Sequence, residues 1–261
     1  SLQNKYKVYK ENGALLDHFE HIKEPDYLER DNEGTVINSL ANVVRLSNPL
    51  VVIDEGHKTT TKLSIDFLKD LNPSFIVEYT ATPRDNSNIL VKIHASELKE
   101  EQMVKIPIVL ESAAQWQNAL IRGIEKRNEL EKEAKIIKGE YIRPIALLQA
   151  QSKAGNVTVE KIKEFLIERR IPHEEIAIKI SGKNELEGVD LFNKRCKIRY
   201  IITVNALAEG WDCSFAYVLV SVANLGSKIA VEQIIGRIIR LPYAERKANE
   251  NLNRSYVFAS A

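Results

Sequence analysis

The chain has 261 residues, of which 44% are hydrophobic and 28% are charged, so it is long enough to form two α/β domains with separate cores. Its 37 basic and 36 acidic residues leave a net charge of +1, which excludes a globally basic protein but not a local basic groove. The two cysteines, Cys196 and Cys213, lack metal-ligand spacing, and no apolar run is long enough to span a membrane. We therefore expect a soluble, cytoplasmic protein without disulfide bonds, a zinc site or a signal peptide.

The first part of the chain alternates between predicted helices and strands. Residues 1–35 are polar, and EPDYLERDNEG within them predicts a loop or irregular surface segment. TVINSLANVVRL has the apolar spacing of a short helix. The continuous apolar run in PLVVIDEG predicts a parallel strand that is covered on both faces. A second amphipathic helix, TKLSIDFLKDL, and a second strand, PSFIVEYTATP, which proline ends, complete a strand–helix–strand unit.

A long helix is predicted to open the second part. SAAQWQNALIRGIEKRNELEKEAKIIKG starts with an S-x-x-Q capping box at Ser112 and ends at Gly139 as its C-cap. Further strands are predicted in RPIALLQAQS, EIAIKIS, IRYIITVNAL, AYVLVSVAN and RSYVFAS, with helices in VTVEKIKEFLIERR and in KIAVEQIIGRIIR, which Pro242 stops. The alternation predicts two consecutive parallel α/β units, residues 1–108 and 109–261.

Polar side chains follow the two strands of the first unit. Asp54 and Glu55 end one strand, and Thr80 and Thr82 end the next. Ligands of open parallel sheets bind beyond the carboxyl ends of the strands, where one carboxylate can hold Mg²⁺ through water and its neighbour can polarise an attacking water. A solvated loop after a strand is at least as frequent an explanation of such an acidic pair.

Three polar residues lie together in VEQIIGRIIRLP. Gln233, Arg237 and Arg240 lie on one predicted helical segment, and the two arginines are three residues apart, so they share a face and can converge on one anion. Gly236 allows a backbone to approach closely. The alternative is a surface helix with solvated arginines, but the apolar residues between them predict a helix held in a core: Ile234, Ile235, Ile238 and Ile239.

The segment TVNALAEGWDCSF follows an apolar strand and brings Gly210 and Asp212 to its exit. Asp212 could accept a hydrogen bond from a ribose hydroxyl. The alternative is an ordinary strand-to-loop turn in which Trp211 packs against the core.

Taken in order, DEGH, TAT, LLQAQS, ALAEGWD and QIIGRIIR resemble motifs II to VI of superfamily-two helicases and translocases. The sequences of three segments are most similar to the Res subunit of type III restriction enzymes: EGWDCSFAYVL, EQIIGRIIRLP and KEEQMVKIPIVLESA. The resemblance extends from about Val51 to the C-terminus. It implies two RecA-like domains that bind ATP and Mg²⁺ in the cleft between them.

The resemblance also implies roles for individual residues of the first unit. Asp54 would hold Mg²⁺ through water, and Glu55 would orient or activate the attacking water. His57 would couple the nucleotide site to the other domain, through Gln233. The residues that would link hydrolysis to the nucleic-acid track are Thr80 and Thr82.

In the second unit, Gly210 and Asp212 would contact the nucleotide across the cleft. Arg237 and Arg240 would reach the γ-phosphate, with Arg240 as the arginine finger. Strand-end residues would touch the phosphate backbone of the nucleic acid, although they are as well explained as ordinary strand-end groups: Gln151, Ser152 and Thr203.

The resemblance departs from the family in one large respect. No G-x-x-x-x-G-K-[ST] phosphate loop precedes Asp54, and the SGK at residues 181–183 lacks the upstream glycine. We therefore expect a first RecA-like domain truncated at its N-terminus, in a piece of a longer protein that is inactive alone. We find no PD-(D/E)xK nuclease site, and in type III systems target recognition is assigned to a partner Mod subunit.

Three functional interpretations remain. The first is the motor of a type III Res subunit, coupling Mg-ATP hydrolysis to movement on double-stranded DNA. The second is another superfamily-two enzyme, such as a type I restriction motor or a repair or RNA helicase. The third is a nucleic-acid-binding module that no longer hydrolyses ATP, although such a module would not need Glu55 or Arg240.

Overall fold

The computed structural model describes residues 7–19, 26–54, 56, 61–80, 83, 87–204, 212–222 and 235–260. By its internal contacts the chain forms two compact units, Ser1–Val91 and Lys92–Ala261, so residues 92–108 pack with the second unit. Within the described ranges, no helix has the length and apolar character needed to cross a membrane. The predicted fold class, α/β with parallel strands, is confirmed in both units.

The first unit is built from two helix–strand pairs: α1 (Leu40–Leu46), β1 (Leu50–Asp54), α2 (Lys62–Asp70) and β2 (Phe75–Tyr79). The helices begin where the side chains of Ser39 and Thr61 accept hydrogen bonds from the backbone N–H groups three residues later. β1 and β2 pair in parallel, with Leu50 opposite Phe75 and Asp54 opposite Tyr79. The predicted strand–helix–strand unit is therefore confirmed.

The prediction that β1 is covered on both faces is wrong for the described residues. Exposure alternates along the strand, and the side chains of Leu50 and Val52 are 60% and 57% exposed. The physical reason is the small size of this sheet. Among the described residues it has two strands, and alternate side chains of β1 remain exposed, whereas a continuous apolar run predicts burial of both faces.

Arg45 fastens the two helices of the first unit to each other. Its buried guanidinium donates to the backbone carbonyl of Asp70 at 2.7 Å and to the carboxylate of the same residue at 2.6 Å. A third bond, 2.7 Å long, reaches the side-chain oxygen of Asn42. These bonds join the end of α2 to α1.

The second unit holds a seven-stranded sheet in the order β3-β9-β8-β4-β7-β5-β6. All pairings are parallel except that of β5 with β6. The strands are β3 (Ile108–Ala113), β4 (Ile145–Gln149), β5 (Ile176–Ile180), β6 (Lys183–Asn184), β7 (Tyr200–Thr203), β8 (Ala216–Ser221) and β9 (Ser255–Ser260). The helices are α3 (Ala95–Glu100), α4 (Trp116–Ile136) and α5 (Val159–Glu168).

The core of the second unit follows from its apolar runs. Every residue of β4, β7 and β8 is buried, as expected of central parallel strands. α4 packs on β8 and β9, and α5 packs on β7. The predicted strands of this unit and the helix at 157–170 are thus present. The predicted helix at 228–240 lies mostly outside the described residues. In its described part, residues 235–238 are helical.

The predicted ends of the long helix α4 are wrong. Ser112 and Ala113 belong to β3, and the helix begins at Trp116 with Gln115 as an N-cap that makes no side-chain cap bond. Pairing of β3 with β9 uses the backbone that the capping-box pattern assigned to the helix. The helix ends at Ile136, and Gly139 lies beyond it with a φ of +90°, so glycine is needed for the following turn and not as the C-cap.

Gly123 allows α4 to approach the sheet closely. A Cβ at this buried helical position would overlap Cγ2 of Val220 on β8. We predict that Gly123→Ala lowers the free energy of unfolding by about 1–2 kcal/mol, because the overpacking exceeds the helix-propensity gain of about 1 kcal/mol. Urea unfolding measures the change. In a Val220→Ala background the same substitution should be neutral or stabilising, and a stabilised Gly123→Ala single variant would contradict the packing argument.

Candidate functional site

The carboxyl ends of β1 and β2 bring two of the predicted residues to one edge of the first unit. Asp54 is the last residue of β1 and lies opposite Tyr79, and Thr80 directly follows Tyr79. Neighbouring strands are about 4.8 Å apart, so Asp54 and Thr80 are neighbours at this edge. Asp54 is exposed and Thr80 is half-buried. The strand-end position predicted for both residues is confirmed, whereas their roles stay predictions.

The contact of Gly56 with Glu78 explains why the DEGH segment has a small residue at this position. It is buried, and a Cβ built on it would lie 3.0 Å from a carboxylate oxygen of Glu78 and 3.1 Å from that side chain's Cβ. The backbone at Gly56 therefore lies against the side chain of Glu78, and a larger residue at position 56 would displace that side chain. Sequence reasoning did not single out Glu78, because nothing in the local pattern indicates that it lies against this turn.

Five of the residues predicted for function lie outside the described residues: Glu55, His57, Thr82, Gly210 and Gln233. Their roles rest on the sequence.

Asp212 and Arg240, which come from two different motifs, form an ion pair. Nη1 of Arg240 donates to a carboxylate oxygen of Asp212 at 2.5 Å, across 28 residues of sequence. Both side chains are more than half exposed, at 59% and 54%. The two motifs assign both residues to the nucleotide, and nothing in their local sequence indicates that they contact each other.

The spacing of Arg237 and Arg240 predicted that they share a helix face, and this prediction is wrong. Residues 235–238 are helical, but Arg240 lies beyond them in an antiparallel bridge with Val104. Ile238 is fully buried, which fixes the end of the helix to the core as expected. No described atom lies within 4 Å of a Cβ built on Gly236, so the close backbone approach expected there is not seen among the described residues.

Lys105 is the residue of this site that sequence reasoning missed. Its side chain is fully buried, and its Nζ donates to the backbone carbonyls of Ser214 at 2.8 Å and Ala216 at 2.6 Å. The ammonium also lies 3.9 Å from the ring centroid of Tyr217. Burial lowers the pKa of Lys105 well below its usual value, and the nearby Cys213 and Asp212 partly oppose this shift.

The strand ends of the second unit hold the residues predicted to contact nucleic acid. The amide of Gln151 is engaged within the fold: its nitrogen donates to the carbonyl of Val222 at 3.0 Å, and its oxygen accepts from the N–H of Val157 at 3.0 Å. Thr203 is buried at the end of β7. Ser152 is exposed and is therefore the member of the predicted trio whose side chain is presented to solvent, next to exposed Lys153.

No protein-family model and no curated protein matches the sequence. Among solved structures, the chain is similar to the ATP-dependent type ISP restriction-modification enzyme LlaBIII bound to DNA, with 17% identity and a TM-score of 0.46 over 81% of this chain and 18% of that chain. It is also similar to S. cerevisiae Dbp5 bound to RNA and ADP BeF3, with 13% identity and a TM-score of 0.42 over 93% and 62% of the two chains.

A third similar structure is the yeast DEAD-box splicing factor Prp28, with 17% identity and a TM-score of 0.35 over 82% of this chain and 45% of that chain. The chain thus spans less than two thirds of the length of each of these proteins. At TM-scores below 0.5 these similarities identify neither a family nor an activity.

Proposed function

We propose that the chain is the ATP-driven motor portion of a superfamily-two translocase that moves on double-stranded DNA, of the kind found in the Res subunit of type III restriction enzymes. The observation that supports this most is the contact between Asp212 and Arg240. Two residues that different motifs assign to the nucleotide are joined by a direct hydrogen bond. We further propose that the two units, Ser1–Val91 and Lys92–Ala261, correspond to two RecA-like domains.

Asp54 fits a magnesium ion. Its carboxylate is exposed at the carboxyl end of β1, and Mg²⁺ is usually bound in proteins by one or two carboxylates together with water and substrate phosphates. When bound, the metal would neutralise part of the phosphate charge. Glu55, the next residue, would orient the attacking water, and Thr80 and Thr82 would link hydrolysis to the nucleic-acid track.

Arg240 and Asp212 would exchange their mutual contact for contacts with the nucleotide. An ion pair between side chains as exposed as these stabilises a protein by only about 0–1 kcal/mol, so it can be broken readily. Arg240 could then donate to the γ-phosphate oxygens, for which a guanidinium is well suited, and Asp212 could accept from a ribose hydroxyl. Arg237 would assist Arg240, Gly210 would contact the nucleotide, and His57 would couple the nucleotide site to Gln233.

Double-stranded DNA would lie against the strand ends of the second unit. Ser152 and Lys153 are exposed there and can bind backbone phosphates without reading base sequence. Because the amide of Gln151 is already bonded to Val222 and Val157, we propose that it stabilises the conformation of this loop and does not contact DNA directly. Choice of the target sequence would fall to a partner such as a Mod subunit.

ATP hydrolysis by the full-length protein, with and without double-stranded DNA, tests the proposal. We expect DNA to stimulate hydrolysis, and we expect Glu55→Gln to retain nucleotide binding but to lose turnover by a factor of about 10² or more, because no carboxylate orients the water. Glu33→Gln, an equally conservative change in an exposed turn, is the matched control. Normal turnover in Glu55→Gln would remove the role given to Glu55, and DNA binding without any hydrolysis would favour the non-hydrolysing module instead.

A further inference from the structure

The side chain of Lys105 fixes the turn that follows Asp212. Its Nζ bonds to the carbonyls of Ser214 and Ala216, two and four residues after Asp212. The same turn is closed by a 3.0 Å bond from the N–H of Ala216 to the carbonyl of Cys213. One buried ammonium therefore holds the backbone on which the Asp212 carboxylate is mounted.

The backbone of the same residue holds the segment that carries Arg240. The N–H of Lys105 donates to the carbonyl of Ile239, and the N–H of Leu241 donates to the carbonyl of Met103 at 3.0 Å. These bonds flank Arg240 on both sides. The hydroxyl of Ser255 lies 3.3 Å from the carbonyl of Lys105 and 3.2 Å from that of Ile238, which fastens the two segments further.

Stability alone does not explain a lysine at this position. A fully buried ammonium that has carbonyl groups and a tyrosine ring as its described partners has lost its hydration, and its pKa is lowered for that reason. Apolar residues of similar size often replace buried charges with no loss of stability. The exposed pair of Arg240 and Asp212, by contrast, is too weak to hold two segments together.

We propose that Lys105 is a positioning residue that holds the Asp212 turn and the Arg240 segment at a fixed separation, so that both side chains reach one ligand. The functional part of this inference rests on the proposed role of Arg240 at the nucleotide. The mechanical part, that Lys105 fixes the positions of the two segments, does not depend on that role. Two measurements separate these parts.

The first measurement is alkylation of Cys213 by iodoacetamide in the folded protein. Cys213 is fully buried beside Asp212, and burial raises the pKa of its thiol to about 11, so the native thiol should react very slowly. Lys105→Met removes both side-chain bonds while keeping an unbranched side chain. We expect alkylation of Cys213 to accelerate about 10-fold or more, because the turn opens locally.

The direction of this change is diagnostic. Removing a nearby cation would by itself raise the pKa of the thiol further and slow the reaction, so acceleration reports opening of the turn. Lys126→Met is the control, because it removes another ammonium that lies over a tyrosine ring, 5.0 Å from the ring centroid of Tyr256, and that pairs with Glu129 on its own helix. The partly buried Cys196 is the internal reference. An unchanged rate at Cys213 in Lys105→Met would overturn the mechanical part.

The second measurement is ATP turnover by the full-length protein. We expect Lys105→Met to lower kcat about 10-fold while KM stays within about 3-fold, and to have no further effect when Arg240 is already alanine. A merely destabilising change would lower turnover equally in both backgrounds, and that result would overturn the functional part. If Arg240→Ala itself leaves turnover intact, the proposed function of Arg240 fails, and alkylation still decides the mechanical part.

Ser255→Ala provides a second variant in case Lys105→Met does not fold. It removes the hydroxyl that lies between the carbonyls of Lys105 and Ile238 and leaves the buried lysine in place. We expect a smaller acceleration of Cys213 alkylation, about 3-fold, with the far-UV circular dichroism unchanged. Full protection of Cys213 in this folded variant would count against the hold that we assign to Lys105.

Discussion

Arg240→Ala in the full-length protein should lower the turnover number for ATP by a factor of about 10³, the effect expected when an arginine finger is removed. The folded state should be unaffected, because the ion pair with Asp212 that the substitution breaks is more than half exposed and is worth about 0–1 kcal/mol. Steady-state hydrolysis assays measure the first effect, and urea unfolding measures the second.

Arg246→Ala is the matched control for this experiment. Arg246 lies six residues further along the chain, is half exposed and pairs with Glu250 at 2.7 Å, so it carries the same charge in a similar ion pair. We expect its turnover to stay within about 2-fold of the unmodified protein, because its partner is an ordinary surface carboxylate. Equal losses in the two variants would mean that net charge matters and that Arg240 has no special role.

Arg143→Ala should lower the free energy of unfolding by about 3–5 kcal/mol, the largest change that we expect from a residue outside the functional site. The guanidinium is buried and donates to the carbonyls of Leu191 at 2.5 Å, Asn193 at 3.0 Å and Ile198 at 3.0 Å. Alanine would leave these carbonyls without that donor and would open a cavity before β7. Urea unfolding followed by circular dichroism measures the loss.

Arg122→Ala is the control for Arg143→Ala. Arg122 is exposed on α4 and forms a 3.2 Å ion pair with Glu111, which is also exposed. Its removal should change the free energy of unfolding by no more than about 1 kcal/mol. A loss below about 1 kcal/mol for Arg143→Ala as well would mean that water satisfies the three carbonyls and that the buried guanidinium contributes little.

The sequence predicted the strands well because burial in a parallel sheet leaves a local mark. A strand covered on both faces is expected to be almost entirely apolar. The runs at β4, β7 and β8 are fully buried and apolar up to a single polar residue at the end of each strand. The run at β1 has the same appearance, but three of its five residues are exposed, since the burial of a strand depends on what packs against it. The carboxyl-end positions of Asp54 and Thr80 followed from the strands alone.

Tertiary structure decided what depends on partners that are distant in sequence. Ser112 matches a capping box, yet it lies in a strand because residues near the C-terminus pair with it. Spacing placed Arg240 on a helix with Arg237, but its pairing with Val104 draws it out of that helix.

What the sequence determined by itself is the set of apolar runs and the polar residues at their ends, since both depend on neighbours along the chain. Lys105 could not be found this way, because its carbonyl partners lie 109 and 111 residues later and a lone lysine between apolar residues carries no local signal. Only folding brings such groups together, because the fold and not the local sequence sets which backbone carbonyls a buried ammonium can reach.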